Sequence, residues 1–188
     1  MEPVTIPDAV RATVLGRIRA MDRVERDIVL RASVIGRRFD VRLLAAMSRH
    51  PEPRVREALA HARDLQLVED EPDADAFVFR HAVTRDVIYE ELLHGRVRAL
   101  HRRIARVLED DLAGGDAQLN DLAYHAWAAG DVRRGVRYNE LAGDRAAEIH
   151  AGDDAHAFYT RARALLAIDS DAYARLTLKL AAVAHAPA

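Results

Sequence analysis

Leu67-Val68-Glu69-Asp70-Glu71-Pro72-Asp73-Ala74-Asp75-Ala76-Phe77-Val78-Phe79-Arg80-His81 is the stretch where the chain changes period. Its centre gathers five carboxylates around a proline, the composition of a turn. Its flanks are apolar, and Ala76-Phe77-Val78-Phe79-Arg80 has the aromatic and β-branched character of a strand. Elsewhere the apolar residues recur at helical spacing. Residues 67–80 therefore predict a small two-stranded hairpin inside an otherwise helical chain.

Upstream of the hairpin the periodicity marks four helices. Val10, Val14, Leu15 and Ile18 share one face of a first helix over about 7–21. Asp22 precedes Glu25 by three residues, an N-cap with a returning carboxylate, and opens a helix ended by Gly36. Asp40 caps a short helix carrying Leu43, Leu44 and Met47, and Pro51 and Pro53 break the chain before a helix over 52–65. Downstream, helices are expected at 81–94 with Gly95 as stop, 97–112, 117–129, 132–150, 154–168 and 171–185. Gly114-Gly115-Asp116 is a turn, and Ala-Gly-Asp at 129–131 and 151–153 closes two more helices. Three helices followed by a hairpin is the order of a winged helix, so the predicted fold class is mainly α: a winged helix (three helices plus a two-stranded hairpin) followed by an α-helical hairpin array. The division between the two lies near Arg80–His81, and the segment before Asp22 belongs to something upstream.

The chain has 188 residues, 50% of them hydrophobic and 31% charged, enough to bury a core and too apolar for global disorder. Cysteine is absent, which excludes disulfides, thiolate zinc sites and a cysteine nucleophile. Lys179, the sole lysine, lies in Leu178-Lys179-Leu180, so a phosphate-binding Gly-x-x-x-x-Gly-Lys-Ser/Thr loop does not occur in this sequence. The nine histidines include no His-Glu-x-x-His, and the serines, Ser33, Ser48 and Ser170, sit in no nucleophile elbow. An enzyme is not expected, nor a metal site. His94 and His101 read as surface or interface residues, and Tyr124 and Trp127 as core. Neither an export signal nor an apolar run of membrane-spanning length is present, which makes the cytoplasm the expected location and a membrane partner unexpected.

The formal net charge of −2 conceals an uneven distribution. Glu69, Asp70, Glu71, Asp73 and Asp75 crowd the hairpin turn, where a DNA-binding wing needs cations for the phosphates. The helix that would enter the groove mixes Arg54, Arg56 and Arg63 with Glu57 and Asp64. DNA binding is disfavoured on both counts. The basic residues concentrate instead in Arg80, Arg85, Arg96, Arg98, Arg102, Arg103 and Arg106, either a solvated helix face or an anion-binding patch. His81 follows a strand and opens a helix, where backbone N–H groups can hold an anion.

Three blocks resemble one family. Phe79-Arg80-His81-Ala82-Val83-Thr84-Arg85-Asp86-Val87-Ile88-Tyr89 with Arg98-Ala99-Leu100-His101-Arg102-Arg103-Ile104-Ala105 is similar to a block of bacterial signal-transduction ATPases with numerous domains (STAND), as in large LuxR-type regulators and adenylate-cyclase-linked ATPases. Ala32-Ser33-Val34-Ile35-Gly36-Arg37-Arg38-Phe39 and Ile6-Pro7-Asp8-Ala9-Val10 with Leu15-x-Arg17-Ile18 resemble two earlier blocks of that family, in the same order. The resemblance implies a middle segment of such a regulator: residues 1–21 a linker helix from an upstream nucleotide-binding domain, 22–80 the winged helix, 81–112 a connecting helical hairpin, and 117–188 tetratricopeptide-like helical repeats. It implies a non-catalytic regulatory and protein-interaction role. The partners would be an upstream nucleotide-binding domain, in cis or trans, and a protein or inducer on the repeats. No cofactor belongs to this chain itself; ATP or ADP enters only through that upstream domain. By the same resemblance His81 matches the histidine of a Met-His-Asp motif that contacts the nucleotide phosphate, although Arg80 and Ala82 replace its neighbours. The alternatives are a DNA-binding winged-helix regulator and a freestanding helical-repeat adaptor.

Overall fold

Among residues 6–71, 74–110 and 115–184, which the computed structural model describes, ten helices and three short strands follow one another. The protein is mainly α, and the chain divides into two compact units, Met1–Leu100 and His101–Ala188. Among the described residues no helix is long and apolar enough to cross a membrane.

In the first unit, α1 (Asp8–Ala20) buries Val14 and Ile18. It packs against α5 (Ala82–Glu90), to which Arg11 is tied through Glu90. The segment assigned by the sequence to something upstream is thus part of this unit's own packing. Helix α2 (Arg23–Ile35) starts as expected: Asp22 accepts from the Glu25 backbone N–H at 2.8 Å while the Glu25 carboxylate accepts from the Asp22 N–H at 2.9 Å. Asp40 likewise caps α3 (Val41–Ser48), accepting from the N–H groups of Arg42 and Leu43. Pro51 precedes α4 (Glu52–Asp64), which buries Val55, Ala58, Leu59 and Ala62.

The sheet corrects the two-stranded expectation. Besides β2 (Val68–Asp70) and β3 (Ala76–Phe79) there is β1 (Arg38–Asp40), and the order is β1-β3-β2, antiparallel throughout. Three residues with one apolar side chain carry no readable alternation. What makes β1 a strand is pairing with β3 across Arg38↔Val78, Phe39↔Phe77 and Asp40↔Ala76. Phe39 is buried, its ring stacked on Phe77 at 6.3 Å and tilted against Phe79 at 5.3 Å.

The end of the sheet does not end the unit, because Val87 and Ile88 of α5 are fully buried and α5 packs on α2. The division falls at Leu100–His101, inside α6 (His94–Asp110), and not at Arg80–His81. Gly95 is a second correction. Helix α5 has already stopped at Glu90, where the chain turns to bury Leu92, and Gly95 lies in the first turn of α6. Nothing requires a glycine to end a helix when the following apolar residue turns inward.

The second unit continues with α7 (Gly115–Ala128), α8 (Val132–Glu148), α9 (Gly152–Arg163) and α10 (Asp171–Ala184). Gly115 and Asp116 belong to α7 and not to a turn, while Gly114 of that expected turn lies outside the described residues. The two Ala-Gly-Asp tripeptides are not equivalent. Gly130 takes the left-handed position after α7 (φ 65°) and Asp131 caps α8; in the next connection His150 takes that position (φ 60°), so Gly152 already begins α9. The tripeptides are two residues out of phase, and the turns match only in backbone shape: Asp131 N–H donates to Ala126 C=O at 3.1 Å, and Ala151 N–H to Ala146 C=O at 2.9 Å.

Helices α8 and α9 lie close because α8 presents Gly135, Asn139, Ala142, Gly143 and Ala146 as buried positions. A Cβ on Gly143 would stand 2.5 Å from the Tyr159 ring, and one on Gly135 would strike Leu165 just beyond α9. Asn139 donates to the Ala123 carbonyl at 2.7 Å, holding α7 against the same helix.

Gly143→Ala should therefore lower the stability of the second unit by about 1–3 kcal/mol through overpacking. Gly16→Ala, at an α1 position with no atom within 4 Å, should raise stability by about 0.5–1 kcal/mol. Urea denaturation of the two variants should shift the midpoint in opposite directions.

Candidate functional site

The junction between β3 and α5 is built from both sides of the sheet. Phe79 donates its N–H to the Arg37 carbonyl at 2.8 Å, and Arg80 donates to the Leu67 carbonyl at 3.1 Å, so the chain is held until one residue before His81. His81 is the N-cap of α5, extended (φ −131°, ψ 143°), its carbonyl accepting from Thr84 N–H at 3.0 Å. Its imidazole is exposed and makes no capping bond. The side chain singled out by the sequence thus stands at the positive end of a nine-residue helix with its nitrogens uncommitted among the described residues.

The acidic hairpin is not a bare negative surface. Glu69 pairs with Arg80 at 3.3 Å, Asp70 with Arg63 at 2.9 Å, Asp75 with Arg56 at 2.7 Å, and Glu71 with Arg38. Asp73, the fifth carboxylate, lies outside the described residues. Each of the other four has an arginine of β1, α4 or the end of β3 against it. Such exposed pairs contribute little to stability, so their effect is to occupy side chains more than to hold the fold. Arg54 is occupied as well, by Asp22 at 2.6 Å and Glu57 at 3.1 Å. The Asp22 carboxyl sits below the usual aspartate range because it accepts from the Glu25 backbone N–H, with Arg54 adding to the effect.

The basic run divides by partner. Arg85 is half-buried, donating through Nε to the Ser33 carbonyl at 2.8 Å with its guanidinium 4.6 Å from the Tyr89 ring centre, which ties α5 to α2. Arg96 pairs with Asp27, which also holds Arg31 at 2.6 Å. Arg98, Arg102 and Arg106 are exposed, whereas Arg103 is half-buried. The run is therefore not one continuous patch.

The second unit holds groups that sequence reasoning misread or missed. His101 is buried, not a surface residue, and its Nδ1 lies 2.7 Å from Nδ1 of buried His125, so one ring donates and the other accepts through a single proton. His94 is exposed, as expected. Tyr124 packs edge-on to His101, and Trp127, expected in the core, is 36% exposed with Arg161 over its ring at 5.7 Å. No single-sequence signal links two histidines 24 residues apart.

The larger omission joins α8, α9 and α10. Glu140 and Asp144, one turn apart on α8, face Arg175 and Lys179, one turn apart on α10. Arg175 binds both oxygens of Glu140 at 2.9 Å; Lys179 lies 2.9 Å from Glu140 and 2.6 Å from Asp144, which also accepts from the Tyr159 hydroxyl at 2.7 Å. The Arg175 hydrogen bonds, with Lys179, push the Glu140 carboxyl down to about 2. Burial, then the Asp144 carboxylate, raises the Tyr159 phenol above its ordinary value. The i, i+4 spacing of both pairs was the readable signal, and the lone lysine marked its centre. Glu109 of α6 is held low in a similar way, first by the Tyr138 hydroxyl at 2.7 Å and then by Arg134 at 2.8 Å.

Among the described residues no three His, Cys, Asp or Glu side chains converge as metal ligands. Compared with known proteins, the chain matches no family model, no curated sequence and no solved structure.

Glu140 has a folded value of about 2 against an ordinary 4.5, so its contribution to stability is complete above pH 4.5 and is lost as pH falls through that window. Comparing wild type with Glu140→Gln by urea unfolding at a series of pH values, the wild-type advantage should be largest near neutrality and vanish toward pH 2. An unchanged difference across the series would show that Glu140 titrates normally.

Proposed function

We propose that this chain is a non-catalytic regulatory and protein-interaction segment of a STAND-type signalling ATPase, with a winged helix in its first unit and tetratricopeptide-like helices in its second. The observation that carries this reading is the chain order α2-β1-α3-α4-β2-β3, closed by an antiparallel β1-β3-β2 sheet, running at His81 directly into further helices. That is the order of a winged helix followed by a helical array, and the residues similar to the STAND block occupy the sheet-to-helix junction. The exposed His81 imidazole at the start of α5 supports a contact with the phosphates of a nucleotide held by an upstream domain. This chain's residues supply no phosphate-binding loop, so ATP or ADP would be held by that upstream domain and only touched here. Helix α1 is the linker from it in this reading, docked on α5.

The DNA-binding alternative has less support. Arg54, Arg56 and Arg63 of α4, the helix that would read the groove, are all in ion pairs, two of them with hairpin carboxylates. Phosphate contacts would have to break those pairs while bringing Glu69 and Glu71 toward the duplex. The cytoplasm is the compartment that fits this role.

Reading the genomic frame upstream of Met1 for a Gly-x-x-x-x-Gly-Lys-Ser/Thr loop is the first test, with the loop expected either in frame or in an adjacent gene; its absence from both would overturn the STAND assignment. A gel shift with mixed-sequence duplex at low salt should show no retention. Retention that weakens steeply with added salt would favour the DNA-binding reading.

A further inference from the structure

Along the outer side of α8 runs an open groove of about 670 Å³, bounded by Val132, Arg133, Val136, Arg137, Leu141 and Leu166. Its apolar part is not hidden: Val132 is 51% and Leu141 41% exposed, on either side of the Arg133–Arg137 row. Its charges are unbalanced in a specific way. The two carboxylates that also line it, Glu140 and Asp144, are already matched by Arg175 and Lys179 of α10. Arg133 and Arg137, one helical turn apart and both exposed, form no ion pair among the described residues. The groove thus presents aliphatic surface beside two guanidiniums that form no ion pair among the described residues, Arg137 lying 5.2 Å from the centre of the Tyr138 ring, and their side chains leave the helix about 5–6 Å apart.

We infer that this groove on α8 docks a short acidic peptide segment of a partner protein, its carboxylates on Arg133 and Arg137 and an aliphatic or aromatic side chain on Val132 and Val136. Carboxylates two residues apart on an extended segment, or one turn apart on a helix, have the separation the two arginines require. Guanidinium groups recognise carboxylates bidentately, and the adjacent aliphatic surface supplies the burial that isolated surface charges lack. The face Glu140–Asp144–Arg175–Lys179 is the reason the site selects for charge: an internally neutralised network neither repels the incoming carboxylates nor competes for the two arginines. This inference rests on the protein-interaction reading of the second unit and names the surface and the chemistry of the partner.

The test is selection of a random short-peptide phage library on the immobilised full chain, followed by fluorescence anisotropy with the winning peptides made synthetically. Selected peptides should combine two or more Asp or Glu with a Leu, Ile, Val or Phe. Arg133→Glu/Arg137→Glu should weaken their binding by about tenfold or more, and Arg133→Ala/Arg137→Ala by less. The matched reversal Arg19→Glu/Arg37→Glu, at exposed positions of the first unit, should leave it unchanged. Thermal melting of each variant confirms that the fold is intact. Acidic peptides that bind the α8 reversal as well as wild type would overturn the groove assignment while leaving the protein-interaction reading standing. Selection of basic or uncharged peptides would overturn the assigned chemistry; no enrichment at all would overturn the inference and count against the protein-interaction reading too.

Discussion

The first unit depends on the pairing of one four-residue strand along both of its edges. Strand β3 accepts β2 on one side by a local hairpin and β1 on the other from 36 or more residues earlier in the chain, as in Asp40↔Ala76. Local pairing costs little entropy, whereas the distant one closes a long loop and must be repaid by burial. The repayment is visible in Phe39, Phe77 and Phe79, whose rings meet across β1 and β3. With those rings in place helices α2, α3 and α4 have a floor, and the chain leaves the sheet at one defined point, His81.

Charge in this protein is spent mainly inside itself. The acidic hairpin, which in the sequence looks like a surface aimed outward, is met by Arg38, Arg56, Arg63 and Arg80. The basic run after it is likewise partly consumed, Arg85 by a backbone carbonyl and Arg96 by Asp27. Proximity explains this better than strength: each pair is weak in water, but the fold brings opposite charges within reach at little cost in desolvation. The electrostatic surface that remains is therefore smaller and differently located from the one a count of residues suggests, with Arg133 and Arg137 of α8 among the exposed arginines that form no ion pair among the described residues.

The second unit solves a different problem, how to bring helices with small apolar faces close enough to share a core. Gly135 and Gly143 let Leu165 and Tyr159 lie directly on the α8 backbone, and the Tyr159 hydroxyl then reaches Asp144, which Lys179 holds from α10. Removing side-chain bulk and adding a charged clasp are complementary: the first gains dispersion contact along the helix, and the second fixes the register of α10 along α8. Buried His101 and His125 add a polar contact of the same kind between α6 and α7.

Much of the fold was legible in the sequence because the relevant physics is local. The caps at Asp22 and Asp40, the proline before α4, the apolar faces of α1 and α3 and the strand Ala76–Phe79 all follow from neighbours within a few residues. His81 could be placed at a strand-to-helix junction for the same reason. What failed was whatever two distant segments decide together: β1, which is a strand only because β3 lies beside it; the end of the first unit, set by burial of α5 and not by the end of the sheet; and Gly95, whose helix-breaking tendency mattered less than the inward turn of Leu92. By itself the sequence determined a mainly helical chain with one small sheet and a histidine at its exit. Only the tertiary structure decided which charges remain free and which histidines are buried, because a charge's partner and a side chain's exposure belong to packing between elements, and no spacing along a single chain encodes that directly.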